Sequence, residues 1–199
     1  MMELVVFSAP EKLKNEASII NELFASGLGK LHLRKPDWTV AEITALLRNI
    51  KPDYLSRIAL HQYHNIAMDF GIRHLHFKEN SRAGFSKLLF QSFKHSGYLL
   101  TSSVHDVKDL NNMQLFDYVF FGPVFDSISK SNYKSTLSAD FSLLNMEKST
   151  KVYAIGGVDI ENIQLLDRMN FDGAALLGSI WSDPTDALTN YQNIVKLCS

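Results

Sequence analysis

Short runs of apolar, β-branched and aromatic residues recur along the chain, each bounded by polar or turn residues. Runs of this length predict buried strands. Most are apolar at nearly every position, which is typical of strands covered on both faces. They begin at Glu3, Lys30, Arg57, His74, Tyr98, Tyr118, Lys151 and Ala174.

Segments with helical spacing lie between the runs. The clearest covers residues 40–50, with Thr39 as its N-cap and Glu42 three residues later to complete a capping box. Similar apolar stripes lie at 13–24, 160–169 and 187–197. A strand followed by a helix, repeated eight times, predicts a parallel sheet with helical crossovers.

Eight such units favour a closed (β/α)8 barrel, with residues 1–199 as a single domain. The alternative is an open doubly wound sheet. That fold normally has fewer strands and a glycine-rich loop after the first strand, where this chain has "FSAPEK".

Composition and charge narrow the class of protein. The chain has 199 residues, of which 46% are hydrophobic, which suits one domain with a substantial core. Twenty basic and 21 acidic residues nearly cancel, so no nucleic-acid or membrane partner is expected. The single cysteine, Cys198, and an N-terminus without a signal peptide or a membrane span predict a cytoplasmic protein. The sequence leaves open whether the protein forms a homo-oligomer.

In a (β/α)8 barrel, the functional residues are expected where the strands end. The strand ends of this chain are rich in cations, imidazoles and small residues, which suits a phosphorylated ligand. They carry Arg34, Lys35, His61, Gln62, His76, Lys78, Glu79, Ser103, His105, Gly156, Gly157, Gly178 and Ser179.

Two glycine-containing strand ends, "YAIGGV" and "ALLGSIW", close the seventh and eighth units. Barrels commonly bind phosphate there through backbone N–H groups and a short helix. Glycine would let the backbone approach the phosphate oxygens. Either end alone could be a tight turn, but their presence at adjacent strand ends favours phosphate binding.

The long segment after the sixth strand, "DSISKSNYKSTLSAD", carries many hydroxyls and the cations Lys130 and Lys134. These groups could donate to a phosphate or diphosphate, and the segment could cover the mouth of the barrel. Beyond Asn132 we expect a solvated loop.

Four histidines fall on predicted strands or at their ends: His32, His61, His76 and His105. Their spacing matches no known metal signature, and no nearby carboxylate completes one, so a metal cluster is not expected. Proton transfer or ligand hydrogen bonding by His105 or His76 is the favoured interpretation. His64 and His95 fall in helical regions and are expected on the surface.

Six segments together resemble the thiamine phosphate synthase and thiazole tautomerase family of (β/α)8 barrels. They are "LHLRKP", "HFKEN", "SSVHD", "DYVFFGPVFDSISK", "YAIGGV" and "DGAALLGSIW". The resemblance implies that Ser127, Ser129 and Lys130 face the diphosphate or the thiazole. It also implies that Gly157, Gly178 and Ser179 hold the thiazole phosphate, and that Arg34 is the arginine of the family's QxRxK strand end.

The synthase reaction that this resemblance implies joins hydroxymethylpyrimidine diphosphate to a thiazole phosphate and releases diphosphate. Arg34, Lys35, Lys130 and His105 are the expected catalytic residues, and Mg²⁺ is implied only if this reaction holds. His32, His61, Gln62, His76 and Ser103 are expected to bind substrate.

The chain departs from the synthase pattern at the metal site. His61 and Gln62 stand where the pattern has Asn-Asp, and Ser81 replaces a second aspartate. His32 replaces the glutamine of QxRxK, and Pro36 its lysine. Because Mg²⁺ prefers carboxylate oxygens, Glu79 or Asp37 would have to substitute.

Two alternatives stay open. A thiazole tautomerase needs an acid or base rather than a metal, but Pro123 stands where its family histidine would be, so His105 or His76 would take that role. A non-catalytic barrel would bind the thiazole phosphate without turning it over.

Overall fold

The computed structural model describes residues 2–126, 135, 137–138 and 140–198. Its parallel strands close into a barrel in the order β1 to β8, which confirms the predicted fold. The strands are β1 Glu3–Phe7, β2 Lys30–Leu33, β3 Ile58–Leu60, β4 His74–Phe77, β5 Leu99–Val104, β6 Tyr118–Phe121, β7 Lys151–Ala154 and β8 Gly173–Leu176.

Helices cover the outside of this barrel. The capping box is confirmed, because Glu42 N donates to Thr39 Oγ1 at 3.3 Å and Thr39 N donates to Glu42 Oε2 at 2.9 Å. The α-helices are α1 Glu16–Ala25, α2 Val40–Arg48, α3 Pro52–Leu55, α4 Glu79–Arg82, α5 Lys87–His95, α6 Leu165–Arg168, α7 Gly178–Trp181 and α8 Ala187–Leu197.

The crossovers are less regular than the sequence predicts. β3 and β4 are joined by 3-10 turns at His64–Ile66 and Met68–Phe70, and β5 and β6 by one at Val107–Asn112. The predicted helix at 160–169 is reduced to α6. The side chain of Asp159 accepts from the backbone N–H of Asn162, and Asn162 Oδ1 accepts from Asp159 N. Such local bonds compete with the helical ladder.

Alternate residues of each strand face opposite sides of the barrel wall. One set, which includes Leu31, Leu60 and Leu75, joins the large core between the strands and the helices. The interior is a smaller cluster of Val5, Phe7, Tyr118, Phe120, Tyr153 and Ala175. Barrel interiors are usually filled by Val, Ile and Leu, so the aromatic character of this one is unusual.

Four buried histidines belong to the same inner region, His32, His61, His74 and His76. Phe7 stacks on His32 with ring centroids 5.1 Å apart, and His74 lies edge-on to Tyr118 at 5.6 Å. The interior of the barrel between β2 and β6 is therefore partly polar.

Helix α7 is tied to the mouth of the barrel. The indole Nε1 of Trp181 donates to the carbonyl oxygen of Phe7, the last residue of β1, at 2.6 Å. This bond fixes the short helix beside the carboxyl ends of β1 and β8. None of the helices in the described part of the chain is long and apolar enough to cross a membrane.

Candidate functional site

A cavity of about 900 Å³ opens at the carboxyl ends of the strands, where a barrel site is expected. Phe7 and Phe120, both buried, form part of its wall. Its polar and glycine lining residues are Arg34, His61, His76, Lys78, Glu79, Asn80, Ser81, Ser103, His105, Gly122, Gly156, Gly157, Asp159, Gly178, Ser179 and Ser182.

Gly156 and Gly157 line the cavity just after β7 and have positive φ angles of 96° and 65°. A Cβ at Gly157 would lie 2.5 Å from the carbonyl oxygen of Asp126, and one at Gly156 would lie 2.8 Å from Pro123 Cα. Glycine is thus required here by backbone conformation and by the close approach of the segment after β6. The tight turn that these two glycines form is therefore also a part of the cavity wall.

The adjacent strand end supplies hydrogen-bond donors. α7 begins at Gly178, and the first N–H groups of an α-helix have no acceptor within the helix. The hydroxyl oxygen of Ser179 is buried and has no hydrogen-bond partner among the residues that the structure describes. These groups and the glycine turn after β7 form an arc of the cavity wall that we call the β7–β8 arc, residues 156–157 and 178–179.

The opposite part of the wall carries ionisable side chains. Arg34 follows β2 and Lys78 follows β4, and both line the cavity. Glu79 Oε2 is hydrogen-bonded to Nδ1 of His105, just after β5. We call this part the β2–β5 arc, namely Arg34, His61, the 76–79 segment, Ser103 and His105.

The imidazoles of His61 and His76 are buried in this arc, 6% and 2% exposed. His76 Nδ1 is 3.1 Å from Thr101 Oγ1, and its Nε2 is 3.2 Å from Ser103 Oγ. Burial lowers the pKa of both imidazoles well below the usual value, and neighbouring histidines lower it further. Both rings are therefore neutral near pH 7.

Lys35 is absent from the described wall of the cavity, contrary to its expected place in the site, and a catalytic role for it stays a prediction. Its ammonium is fully buried and donates to Glu16 Oε2 at 2.6 Å and to the carbonyl oxygen of Ala9 at 2.7 Å. Burial raises the pKa of the Glu16 carboxyl and lowers that of the Lys35 ammonium, and their mutual ion pair opposes both shifts. Lys35 fixes the β1 and β2 loops together.

Gln62 and His32 also lie outside the cavity wall, contrary to their predicted substrate contacts. The Gln62 side chain bonds to the backbone N–H and carbonyl of Lys35. His32 is fully buried beneath the cavity, where its Nδ1 lies 2.9 Å from His61 Nε2 and its Nε2 2.6 Å from the Tyr118 hydroxyl. Both residues therefore contact neighbouring residues behind the cavity wall and do not line the cavity themselves.

Three predicted residues, Ser127, Ser129 and Lys130, lie outside the described residues. Phe7, Phe120 and Asp159 line the cavity but were not predicted from sequence. The alternation of the strands would have indicated that Phe7 and Phe120 face inward, while Asp159 only continues the "GGVD" turn.

The fold and the cavity define a (β/α)8 barrel with its candidate site at the carboxyl ends of the strands. A profile described as thiamine monophosphate synthase matches residues 4–180. The chain belongs to the thiamine monophosphate synthase family, which confirms the resemblance seen in the sequence motifs.

Individual relatives agree with this assignment. A Geobacter sulfurreducens protein provisionally assigned as a thiamine-phosphate synthase is 25% identical over 173 residues, which cover 84% of this chain and 80% of that protein. The thiamine-phosphate synthase of Limosilactobacillus reuteri is 30% identical over 92 residues, 46% of this chain and 42% of the relative.

Solved structures support the fold. The thiamine phosphate pyrophosphorylase of Bacteroides thetaiotaomicron has a TM-score of 0.75 at 24% identity, covering 100% of this chain and 98% of that one. The corresponding enzyme of Pyrococcus furiosus has a TM-score of 0.74 at 14% identity, with coverages of 98% and 95%.

Proposed function

We propose that this chain is a transferase that joins a hydroxymethylpyrimidine diphosphate to a thiazole phosphate and releases diphosphate. The observation that carries the proposal is that two regions suited to anions, one of hydrogen-bond donors and one of cations, line the same cavity. The β7–β8 arc offers backbone N–H groups and a free hydroxyl, and the β2–β5 arc offers Arg34 and Lys78. In a closed eight-stranded barrel, β3 and β4 lie opposite β7 and β8.

Each arc suits one of the two substrates. The thiazole phosphate would accept hydrogen bonds from the β7–β8 arc, where small residues let the backbone come close. The diphosphate would lie by Arg34 and Lys78, whose positive charges favour its departure as the C–O bond breaks. The thiazole nitrogen then forms the new C–N bond. The protein's role is to orient both reactants and to stabilise the leaving group.

The residues present do not fit a Mg²⁺ site of the two-carboxylate kind. Among the described residues that line the cavity, the carboxylates are Glu79, in the β2–β5 arc, and Asp159, two residues beyond the glycine turn that follows β7. Glu79 is already paired with His105. Asp37 is absent from the described wall of the cavity. Magnesium prefers hard oxygen ligands in a near-octahedral arrangement. The proposed roles of Arg34 and Lys78 therefore do not depend on a bound Mg²⁺ ion.

The test is synthesis of thiamine phosphate from both substrates by wild-type protein and by Arg34→Ala. Loss of the guanidinium should lower kcat/KM by about 100-fold or more, as for removal of one charge-stabilising donor. Arg48→Ala, at the exposed end of α2, is the matched control and should retain full activity. A wild-type protein with no turnover of the two substrates would refute the transferase proposal.

A second candidate function is isomerisation of a thiazole carboxylate phosphate, and the His105–Glu79 pair favours it. The carboxylate orients an imidazole that is accessible at the cavity, which suits a proton-transfer group. His76 fits this role less well because both of its ring nitrogens are engaged. Isomerisation by wild-type protein that is lost in His105→Ala would establish this function. Binding of thiazole phosphate without either reaction would identify a non-catalytic binder.

The cytoplasmic location and the lack of nucleic-acid and membrane partners remain part of this proposal. They follow from the near-neutral charge and from the small phosphorylated substrates that we assign to the cavity.

A further inference from the structure

Three imidazoles from three consecutive strands converge at the base of the cavity. His32 lies on β2, His61 follows β3 and His76 lies on β4. One ring nitrogen from each lies within 4.8 Å of the others. Their exposures are 0%, 6% and 2%, so the group is held by the barrel wall and not by a loop.

Neighbouring groups orient two of these rings. The Tyr118 hydroxyl holds Nε2 of His32, which leaves Nδ1 of His32 directed at His61. Thr101 Oγ1 holds Nδ1 of His76. Partners on the second nitrogen are characteristic of histidines that bind metals, because they fix the tautomer and the direction of the ligating nitrogen.

His61 carries an unexplained polar atom. Its Nδ1 is buried and has no hydrogen-bond partner in the described part of the structure. A buried polar atom without a partner is costly, and such atoms are rare unless they serve a function. His61 and His76 also line the cavity, so an ion bound beside them would have a coordination position open to ligands.

We propose that His32, His61 and His76 bind one divalent transition-metal ion, of the Zn²⁺ or Co²⁺ kind, at the base of the cavity. Neutral imidazoles suit zinc, copper, nickel and cobalt ions, whereas a set without carboxylates disfavours Mg²⁺ and Ca²⁺. The inference does not depend on the transferase proposal, because it concerns binding of the metal alone.

Binding requires three local changes. Nε2 of His76 must give up its 3.2 Å contact with Ser103 Oγ, because Thr101 Oγ1 holds the other ring nitrogen. The ion must replace the 2.9 Å contact between His32 Nδ1 and His61 Nε2. His61 and His76 are stacked with ring centroids 3.9 Å apart and must part, because a lone pair in the plane of each ring has to point at the same ion. We expect rotation of the His61 ring to make the last two changes, because its Nδ1 has no hydrogen-bond partner in the described structure to hold it.

The test uses full-length protein without a polyhistidine tag, first stripped with EDTA. Native mass spectrometry and titration with CoCl2 should give one ion per chain and the intense visible absorption of four-coordinate Co²⁺. ZnCl2 should displace that signal, and MgCl2 should not. An absence of stoichiometric Co²⁺ and Zn²⁺ binding by the wild-type protein would overturn the proposal, whatever the variants do.

Variants then locate the site. His61→Gln should weaken Co²⁺ binding by more than about 100-fold, since loss of a ligand exceeds the 10–100-fold effect of an outer partner. Tyr118→Phe should weaken it by about 10-fold through the orientation of His32. His95→Ala, at the exposed end of α5, is the matched control and should bind normally. Circular dichroism checks that each variant is folded. Equal loss in His95→Ala would overturn the assignment to these three residues.

Discussion

The two arcs of the cavity wall differ in the chemical groups that they present to a ligand. The β7–β8 arc presents mainly backbone groups, and its shape depends on Gly156, Gly157 and the start of α7. The β2–β5 arc presents side chains, with Arg34 and buried imidazoles. The chemistry of the first arc therefore depends on backbone conformation and on two glycines, whereas that of the second depends on the identity of each side chain.

The first prediction has the largest expected effect. It tests whether Lys35 stabilises the fold beside the β2–β5 arc or contacts the ligand. Lys35→Met leaves Glu16 buried without its ion-pair partner, so the free energy of unfolding should fall by about 3–5 kcal/mol. Urea denaturation measures this loss. Affinity for thiazole phosphate in conditions where the variant is folded should not change, because Lys35 is absent from the described cavity wall.

Lys12→Ala is the control for Lys35→Met, since its ion pair with Glu42 is exposed and screened by solvent, and its loss should change the stability far less. Combining Lys35→Met with Glu16→Gln removes the unpaired charge and should recover part of the stability. A stable Lys35→Met protein that has lost ligand binding would restore Lys35 to the site.

The second prediction tests the backbone arc. Gly157→Ala forces a side chain into a conformation with φ of 65°, where its Cβ would meet two backbone carbonyl oxygens. We expect a loss of about 2–3 kcal/mol in unfolding free energy and of most thiazole phosphate affinity. Calorimetry and urea denaturation measure the two effects. Gly29→Ala, with open space around its Cβ, should change neither, and unaltered ligand binding by Gly157→Ala would remove this turn from the phosphate site.

The third prediction concerns pH and the imidazole side. Burial lowers the pKa of His74 to about 3 and those of His32, His61 and His76 well below 6.5. As pH falls through 6.5, these histidines bind protons in the unfolded chain but stay neutral in the folded one. Acidification therefore favours the unfolded state, and the stability that these groups contribute above pH 6.5 is lost. Each such histidine should cost about 1.4 kcal/mol between pH 7.5 and 5.5.

Urea denaturation at these two pH values in the presence of EDTA tests this cost. His74→Leu should reduce the difference in stability between the two pH values by about 1.4 kcal/mol, and His95→Ala should leave it unchanged. Equal stability of the wild-type protein at both pH values would mean that the imidazoles are not held neutral.

The smallest expected effect belongs to Ser179. Its buried hydroxyl has no partner in the described structure, so Ser179→Ala should leave the ligand-free protein as stable as before. It should weaken thiazole phosphate binding by about 1 kcal/mol, roughly fivefold, through one lost hydrogen bond. Calorimetric titration beside Ser18→Ala, an exposed serine of α1, measures the difference. Unchanged affinity would separate this hydroxyl from the phosphate.

The sequence was sufficient to predict the barrel, because each strand is a contiguous apolar run and these runs repeat. It was not sufficient to separate Arg34 from Lys35. The two are adjacent, and only the fold determines that Arg34 faces the cavity while Lys35 meets Glu16, 19 residues earlier in the chain. A metal cluster was not expected for a similar reason. Metal signatures are recognised by local spacing, and here His32, on β2, and His61, just after β3, lie 29 residues apart.

The hydrogen bond between Trp181 and Phe7 holds an intrinsic fluorophore beside the β7–β8 arc. Trp181 is nearly buried, three residues after the start of α7, while the other tryptophan, Trp38, packs beneath the ammonium of Lys35 at 4.5 Å. Any ligand that engages the start of α7 acts within one helical turn of the Trp181 indole. Emission from that ring should therefore report occupancy of the β7–β8 arc without a label, with Trp38 as an internal reference.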